Sequence, residues 1–196
     1  MSYLKQAISL NHLLIDNFWD TKNNGFFDTA HKSEKLIMRQ KESYDGAVPS
    51  GNSVSLLNMI KLARITSDPQ LEKKAEQLSE VFAIKVEHVP SAHTMFLCAY
   101  DFLSGPSYEV VITGKQGAED VENMFKVLRG IYLPSKVVIF HPDGKQAKMI
   151  EEISGYIESQ KSIDGKATAY VCEGYACKKP VVDKNKLLKL FMKNKG

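Results

Sequence analysis

SGPSYEVVITG, residues 104–114, is where the chain changes character. Ser104-Gly105-Pro106 cannot continue a helix, and Glu109–Thr113 is a short β-branched run closed by Gly114, which reads as a buried strand. Downstream the alternation continues. A helical pattern carries Val121, Met124, Phe125 and Leu128, and Lys136–Phe140 (KVVIF) is a second strand ended by Pro142-Asp143-Gly144. A further helical pattern with Met149, Ile150 and Ile153 leads to a third strand, Ala167–Val171 (ATAYV). Asp183 is placed to cap a terminal helix with Leu187, Leu188, Leu190 and Phe191 among Lys184, Lys186, Lys189, Lys193 and Lys195. Strand and helix in alternation predict a small, mostly parallel three-stranded sheet with crossover helices.

Upstream of the break, apolar residues recur at helical spacing. Tyr3–Asp20 carries Leu4, Ala7, Ile8, Leu14, Ile15 and Phe18 until Asn23-Asn24-Gly25 interrupts it. Phe26–Ala30 reads as an extended turn, Leu36–Lys41 as a brief extended segment, and the stretch holding Gly46, Pro49 and Gly51 as a loop. Ser50 or Asn52 caps a helix to about Ile65, and Asp68-Pro69 opens another that Pro90 ends. Ser91 caps a third, from Ala92 to Phe102. The fold class expected is therefore mixed α and α/β, with helical hairpins over 1–104 and an α/β segment over 105–196.

Bulk properties narrow the function classes. The chain has 196 residues, 43% of them hydrophobic and 25% charged, enough to bury a core without staples. Its net charge of +3 is spread among alternating signs, which argues against a nucleic-acid surface. No apolar run is long enough to cross a bilayer, and no leader precedes the first helix. With three cysteines and no disulfide-framework spacing, a soluble, reducing, cytoplasmic setting is expected. Cys98 reads as core, and Cys172 and Cys177 as two partly buried thiols, since their spacing differs from C-x-x-C.

The densest polar stretch is RQKESYDGAVPSGNS, residues 39–53. It combines the carboxylates Glu42 and Asp45, the cations Arg39 and Lys41, the phenol of Tyr44, and Ser50, Gly51 and Asn52 at a helix start. Carboxylates beside amides and hydroxyls suit sugar hydroxyls or a protonatable leaving group, with Glu42 and Asp45 as acid and base. The same residues also make an ordinary scaffold of caps, an Asp45-Gly46 turn and an Arg39–Glu42 ion pair. Trp19 with Phe26 and Phe27 either stacks on a ligand or plugs the space between helices. Gly114-Lys115-Gln116-Gly117 lacks both nucleotide-binding glycine patterns, and His88 and His93 lack the H-E-x-x-H arrangement. No cofactor and no metal are expected. His141 would join Cys172 and Cys177 only if the fold brought it close.

Taken in order, FWDTKNNGFFDTA, LIMRQKESYDGAVPSGNS, SYEVVITG, LPSKVVIF and ATAYVCEGYAC resemble the C-terminal region of the YyaL-like, spermatogenesis-associated, thioredoxin-domain-containing proteins. The resemblance spans nearly the whole chain. It departs at Asn24, where a glycine is usual, and at Glu173-Gly174, where an asparagine is common. It implies a longer parent with a thioredoxin-like domain and an (α/α) toroid similar to six-hairpin glycosidases and N-acylglucosamine 2-epimerases. This chain would supply the last hairpins of the toroid, with Arg39, Lys41, Glu42, Tyr44, Asp45, Ser50 and Asn52 facing its funnel. The partners so implied are a carbohydrate-type small molecule, the rest of the parent and, for an isolated piece, a second copy; Cys172 and Cys177 add a weaker redox reading.

Overall fold

The computed structural model describes residues 2–33, 38–174 and 176–192. The chain divides into two compact units, one of Met1–Arg64 with Asp68–Ser104, the other of Ile65–Ser67 with Gly105–Gly196. The expected extended segment from Leu36 falls partly outside the described residues, and 39–41 form no regular strand.

The first unit is built from α1 (Ser2–Phe18), α2 (Gly51–Thr66), α3 (Pro69–His88) and α4 (Thr94–Ser104). Asp68 starts α3 as the sequence requires: its Oδ1 accepts the N–H of Gln70 at 2.8 Å, and Pro69, which has no N–H to satisfy, follows it. Leu4, Ile8 and Ile15 of α1 pack on Leu62 and Ala63 of α2 and Leu71 of α3. Phe82 of α3 meets Phe96 of α4 edge to face, 6.1 Å between ring centres. A second side of α1 stays open, with Tyr3 84%, Leu10 65% and Leu13 53% exposed. Cys98 is exposed, not core. In α4 the buried positions are Phe96, Ala99 and Phe102, and a residue two after Phe96 lies on the far side of the helix.

The second unit centres on β1 (Tyr108–Gly114), buried at every position. β2 (Lys136–Pro142) pairs with it in parallel, Val110 opposite Val138, after a crossover through α5 (Glu119–Gly130). β3 (Thr168–Glu173) pairs on the other side antiparallel, Val110 opposite Val171, and β4 (Ala176–Cys177) continues the hairpin. The sheet therefore has four strands in the order β2-β1-β3-β4, and it is mixed. Two expectations are corrected here. Gly174, at φ +54°, turns the chain back after β3 and creates β4. The link from β2 to β3 is antiparallel, so it does not need a full crossover helix. It contains only α6 (Ala147–Glu151) and two 3-10 turns, and Met149 is left exposed.

One face of this sheet packs on α5 and on α7 (Lys184–Met192). Val110, Ile112, Ala169 and Val171 meet Val121, Met124 and Leu128 of α5 and Leu187 and Phe191 of α7. Gly114 explains the close joint at the strand's end. A Cβ there would lie 2.7 Å from Val121 Cγ2, and its φ of +150° disfavours any side chain.

Candidate functional site

The 39–53 stretch and the residues around Trp19 come together in the first unit, and backbone groups take up most of their polar atoms. Ser50 caps α2: its Oγ accepts the Ser53 N–H at 3.1 Å and its hydroxyl donates to Ser53 Oγ at 2.8 Å. Asp45 is buried and uses both carboxylate oxygens. Oδ1 accepts the Ser50 N–H at 2.9 Å, and Oδ2 accepts the Phe96 N–H, at the third position of α4, also at 2.9 Å. Its own N–H donates to the Ala92 carbonyl at 2.8 Å. One side chain thus satisfies N–H groups at the starts of two helices, where a negative charge is favoured.

Asn52, 1% exposed, ties three segments. Its Oδ1 accepts the Phe26 N–H at 2.8 Å, and its Nδ2 donates to the carbonyls of Phe26 at 2.9 Å and Glu42 at 2.8 Å. His93 adds a fourth tie: Nδ1 donates to the Ser43 carbonyl at 2.6 Å. The Ser43 hydroxyl is buried beside it with no hydrogen-bond partner among the described residues.

Trp19 is 3% exposed and meets Phe26 edge to face at 5.0 Å, with the Lys74 ammonium 4.5 Å from its ring centre. Burial lowers the pKa of Lys74. Phe27 carries two cations: the Arg39 guanidinium lies 3.9 Å from its centre and Lys41 Nζ 4.9 Å. Arg39 turns to Thr29, donating to its hydroxyl at 3.3 Å and to its carbonyl, and to His31 Nδ1 at 3.0 Å. Since an arginine only donates, His31 Nδ1 accepts and its Nε2–H donates to the Trp19 carbonyl at 3.1 Å.

Lys41 pairs with Asp20 at 2.7 Å and donates to the Asn24 carbonyl. Burial by itself would raise the Asp20 pKa. The Lys41 ammonium, the N–H groups of Lys22 and Asn23, and the Asn23 amide outweigh it, and the carboxyl lies well below the ordinary aspartate range. A depressed folded-state pKa gives stability that is present above the unfolded value near 4 and is lost as pH falls towards the folded value. Between those limits the unfolded chain carries one more proton. Asp20→Asn is therefore expected to flatten the dependence of the unfolding free energy on pH below about pH 4, by up to roughly 1.4 kcal/mol per pH unit. An unchanged slope in denaturation curves between pH 2.5 and 5 would show that this carboxyl does not govern acid stability.

Glu42 and Tyr44 are the exposed members of the group. Glu42 Oε1 accepts the N–H groups of Ser43 and Tyr44, both at 2.7 Å, and these hold its carboxyl below the usual glutamate range. An anion so stabilised is suited to accepting a proton or a hydrogen bond rather than to donating one. Sequence reasoning missed Asp20, Ser43 and His93. The partner of Asp20 lies in a separate loop, and His93 reaches Ser43 across 50 positions.

Cys172 and Cys177 lie in the other unit, directly opposite each other on β3 and β4, and are joined as a disulfide in place of the expected thiols. Cys172 is buried and Cys177 exposed. His141 does not join them. Cys172 is opposite Glu109 on β1 and His141 opposite Thr113, four residues along the strand, or about 13 Å. The His141 ring is occupied by the Gln160 carbonyl at 2.7 Å and by Glu151 at 2.9 Å. Lys161 also reaches Glu151, at 2.6 Å, and it and His141 together hold the Glu151 carboxyl below its ordinary range. Among the described residues no group of three or more His, Cys, Asp and Glu is placed to hold a metal ion. No helix there is long and apolar enough to cross a membrane.

The chain is similar to spermatogenesis-associated protein 20 of Homo sapiens, 30% identical over 191 residues. The protein of the same name from Rattus norvegicus is also 30% identical over 191 residues. An uncharacterized protein of Caenorhabditis elegans is 26% identical over 193 residues. Each match takes in 97% of this chain but only 24–25% of the relative, so the chain spans about a quarter of the length of these relatives. No family model matches.

Proposed function

We propose that this chain is a structural and interaction part of a larger, cytoplasmic, thioredoxin-domain-containing protein. On this reading it forms the C-terminal helical hairpins of an (α/α) toroid of carbohydrate-enzyme type and the α/β segment appended to them. The observation that carries the reading is Asp45. Its side chain is buried, and each of its oxygens accepts a backbone N–H at a different helix start, so the carboxylate is placed as a cap shared by two helices rather than as a group turned to a substrate. The open side of α1, with Tyr3, Leu10 and Leu13, is the surface the rest of the parent would cover; in an isolated piece a second copy would cover it.

A second reading rests on Glu42, exposed and held anionic, beside the exposed Tyr44. There the parent binds a sugar at this loop, with Glu42 accepting a hydroxyl hydrogen bond or a proton and Arg39 and Lys41 at its margin. A third is a thiol-regulated accessory role for the Cys172–Cys177 pair. Thermal-shift screening of the full-length parent and this chain against sugars and sugar phosphates separates the first two. The scaffold reading expects no compound whose stabilisation depends on Glu42. A sugar that stabilises the parent and loses its effect in Glu42→Gln would replace that reading with the second.

A further inference from the structure

Beside α7 lies a concavity of about 550 Å³, within the usual size range of small-ligand sites. Its floor is apolar, including Ile163, Val181 and Leu190, and three lysines stand around it, Lys179, Lys186 and Lys189. No carboxylate is among its described lining residues. The nearby Lys178 is paired with Glu173 at 2.8 Å, whereas Lys179, Lys186 and Lys189 form no ion pair among the described residues.

The walls are fixed by backbone bonding. Val181 exchanges both hydrogen bonds with Ala169 of β3, at 2.8 and 3.0 Å, and Lys178 N–H donates to the Val171 carbonyl at 2.8 Å. Asp183 caps α7 through the N–H groups of Asn185 and Lys186, at 2.9 and 2.8 Å, so its carboxylate is committed. Leu187 and Phe191 turn inward and anchor the helix, which places Lys186, Lys189 and Leu190 along the concavity. Val182 and Ile163 remain 43% and 37% exposed, apolar surface that an occupant would cover.

We propose that this concavity binds a small amphiphilic anion: an apolar body of alkyl or aromatic type on the floor, and a carboxylate or phosphate-ester head among the three lysines. Both halves are required, because exposed lysines alone attract any anion weakly and the apolar floor alone does not select for charge. The site lies wholly in the second unit, so it stands or falls independently of the role of the Arg39–Ser53 loop.

Calorimetric titration of the whole chain with octyl phosphate tests it, with inorganic phosphate and 1-octanol as the head and body alone. Saturable binding of octyl phosphate is expected, with at least tenfold weaker binding of either half. In K186Q/K189Q, which keeps good helix formers on an exposed face, octyl phosphate should bind roughly tenfold more weakly, about threefold for each charge removed. Val182→Ser should weaken octyl phosphate binding several-fold without moving the small affinity for inorganic phosphate. Failure of octyl phosphate to bind, equal binding of 1-octanol, or full affinity in K186Q/K189Q with an unchanged thermal midpoint would each overturn the proposal.

Discussion

Asp45→Ala should lower the thermal midpoint of the chain by roughly 6–12 °C, the equivalent of about 3 kcal/mol in a protein of this size. The substitution leaves the N–H groups of Ser50 and Phe96 facing a vacated carboxylate, and each buried donor without an acceptor costs on the order of 1–3 kcal/mol. It also removes a negative charge from the positive ends of α2 and α4 together. Asp45→Asn should cost about half as much, since the amide keeps one acceptor but turns an NH2 towards the other donor. Glu42→Gln should stay within about 1 kcal/mol, because that side chain is exposed and its amide oxygen still accepts. Melting followed by helical circular dichroism measures all three. An Asp45→Ala chain that melts with the parent sequence, yet removes an activity of the full-length protein, would make this carboxylate a chemical group rather than a cap.

Asn52→Ala is expected to cost a similar amount, about 3 kcal/mol, by a different route. Three hydrogen bonds of 2.8–2.9 Å disappear, and the N–H and carbonyl of Phe26 and the carbonyl of Glu42 lose their partner inside the unit. The effect has a local reporter, because Trp19 packs on Phe26 and is the chain's single tryptophan. Loosening of Phe26 should move its emission to longer wavelength under conditions where the helical signal is still native. Asn52→Asp should be worse than Ala, since it aims an anion at two carbonyl oxygens. Emission and urea midpoint both unchanged in Asn52→Ala would show that the loop is held by other contacts.

The helices of the first unit were legible because Leu4, Ile8 and Ile15, and likewise Leu71, Ala75, Leu78 and Phe82, repeat at the spacing of one helix face. EVVIT, KVVIF and ATAYV announced three strands for a comparable reason, being short, β-branched and bounded by turn residues. Strand direction was not legible. A buried strand such as β1 has the same composition whether its neighbour runs with it or against it, and residues 152–167 carry no periodicity that sets the length of the connection. β4, with two residues, is below the length at which alternation can be read.

At the candidate site, Ser50 was readable as a cap because its partner, Ser53, is three positions away. The second duty of Asp45 was not, because Phe96 is 51 positions distant, and neither was the grip of Asn52 on Phe26 across 26 positions. Polar residues crowded on a loop look alike in sequence whether they await a ligand or the backbone of another helix. The difference lies in where the lone pairs point, and that is set by tertiary packing.

Cys98, exposed on α4, has a practical consequence for anyone handling the protein. With Cys172 and Cys177 joined, it is the single thiol of the three available to a maleimide. A dye or spin label added without reductant therefore marks one defined point on the helical unit, and no cysteine has to be engineered out. The label count then doubles as a gauge: one per folded chain with the hairpin closed, and a second once it has been opened, at the exposed Cys177.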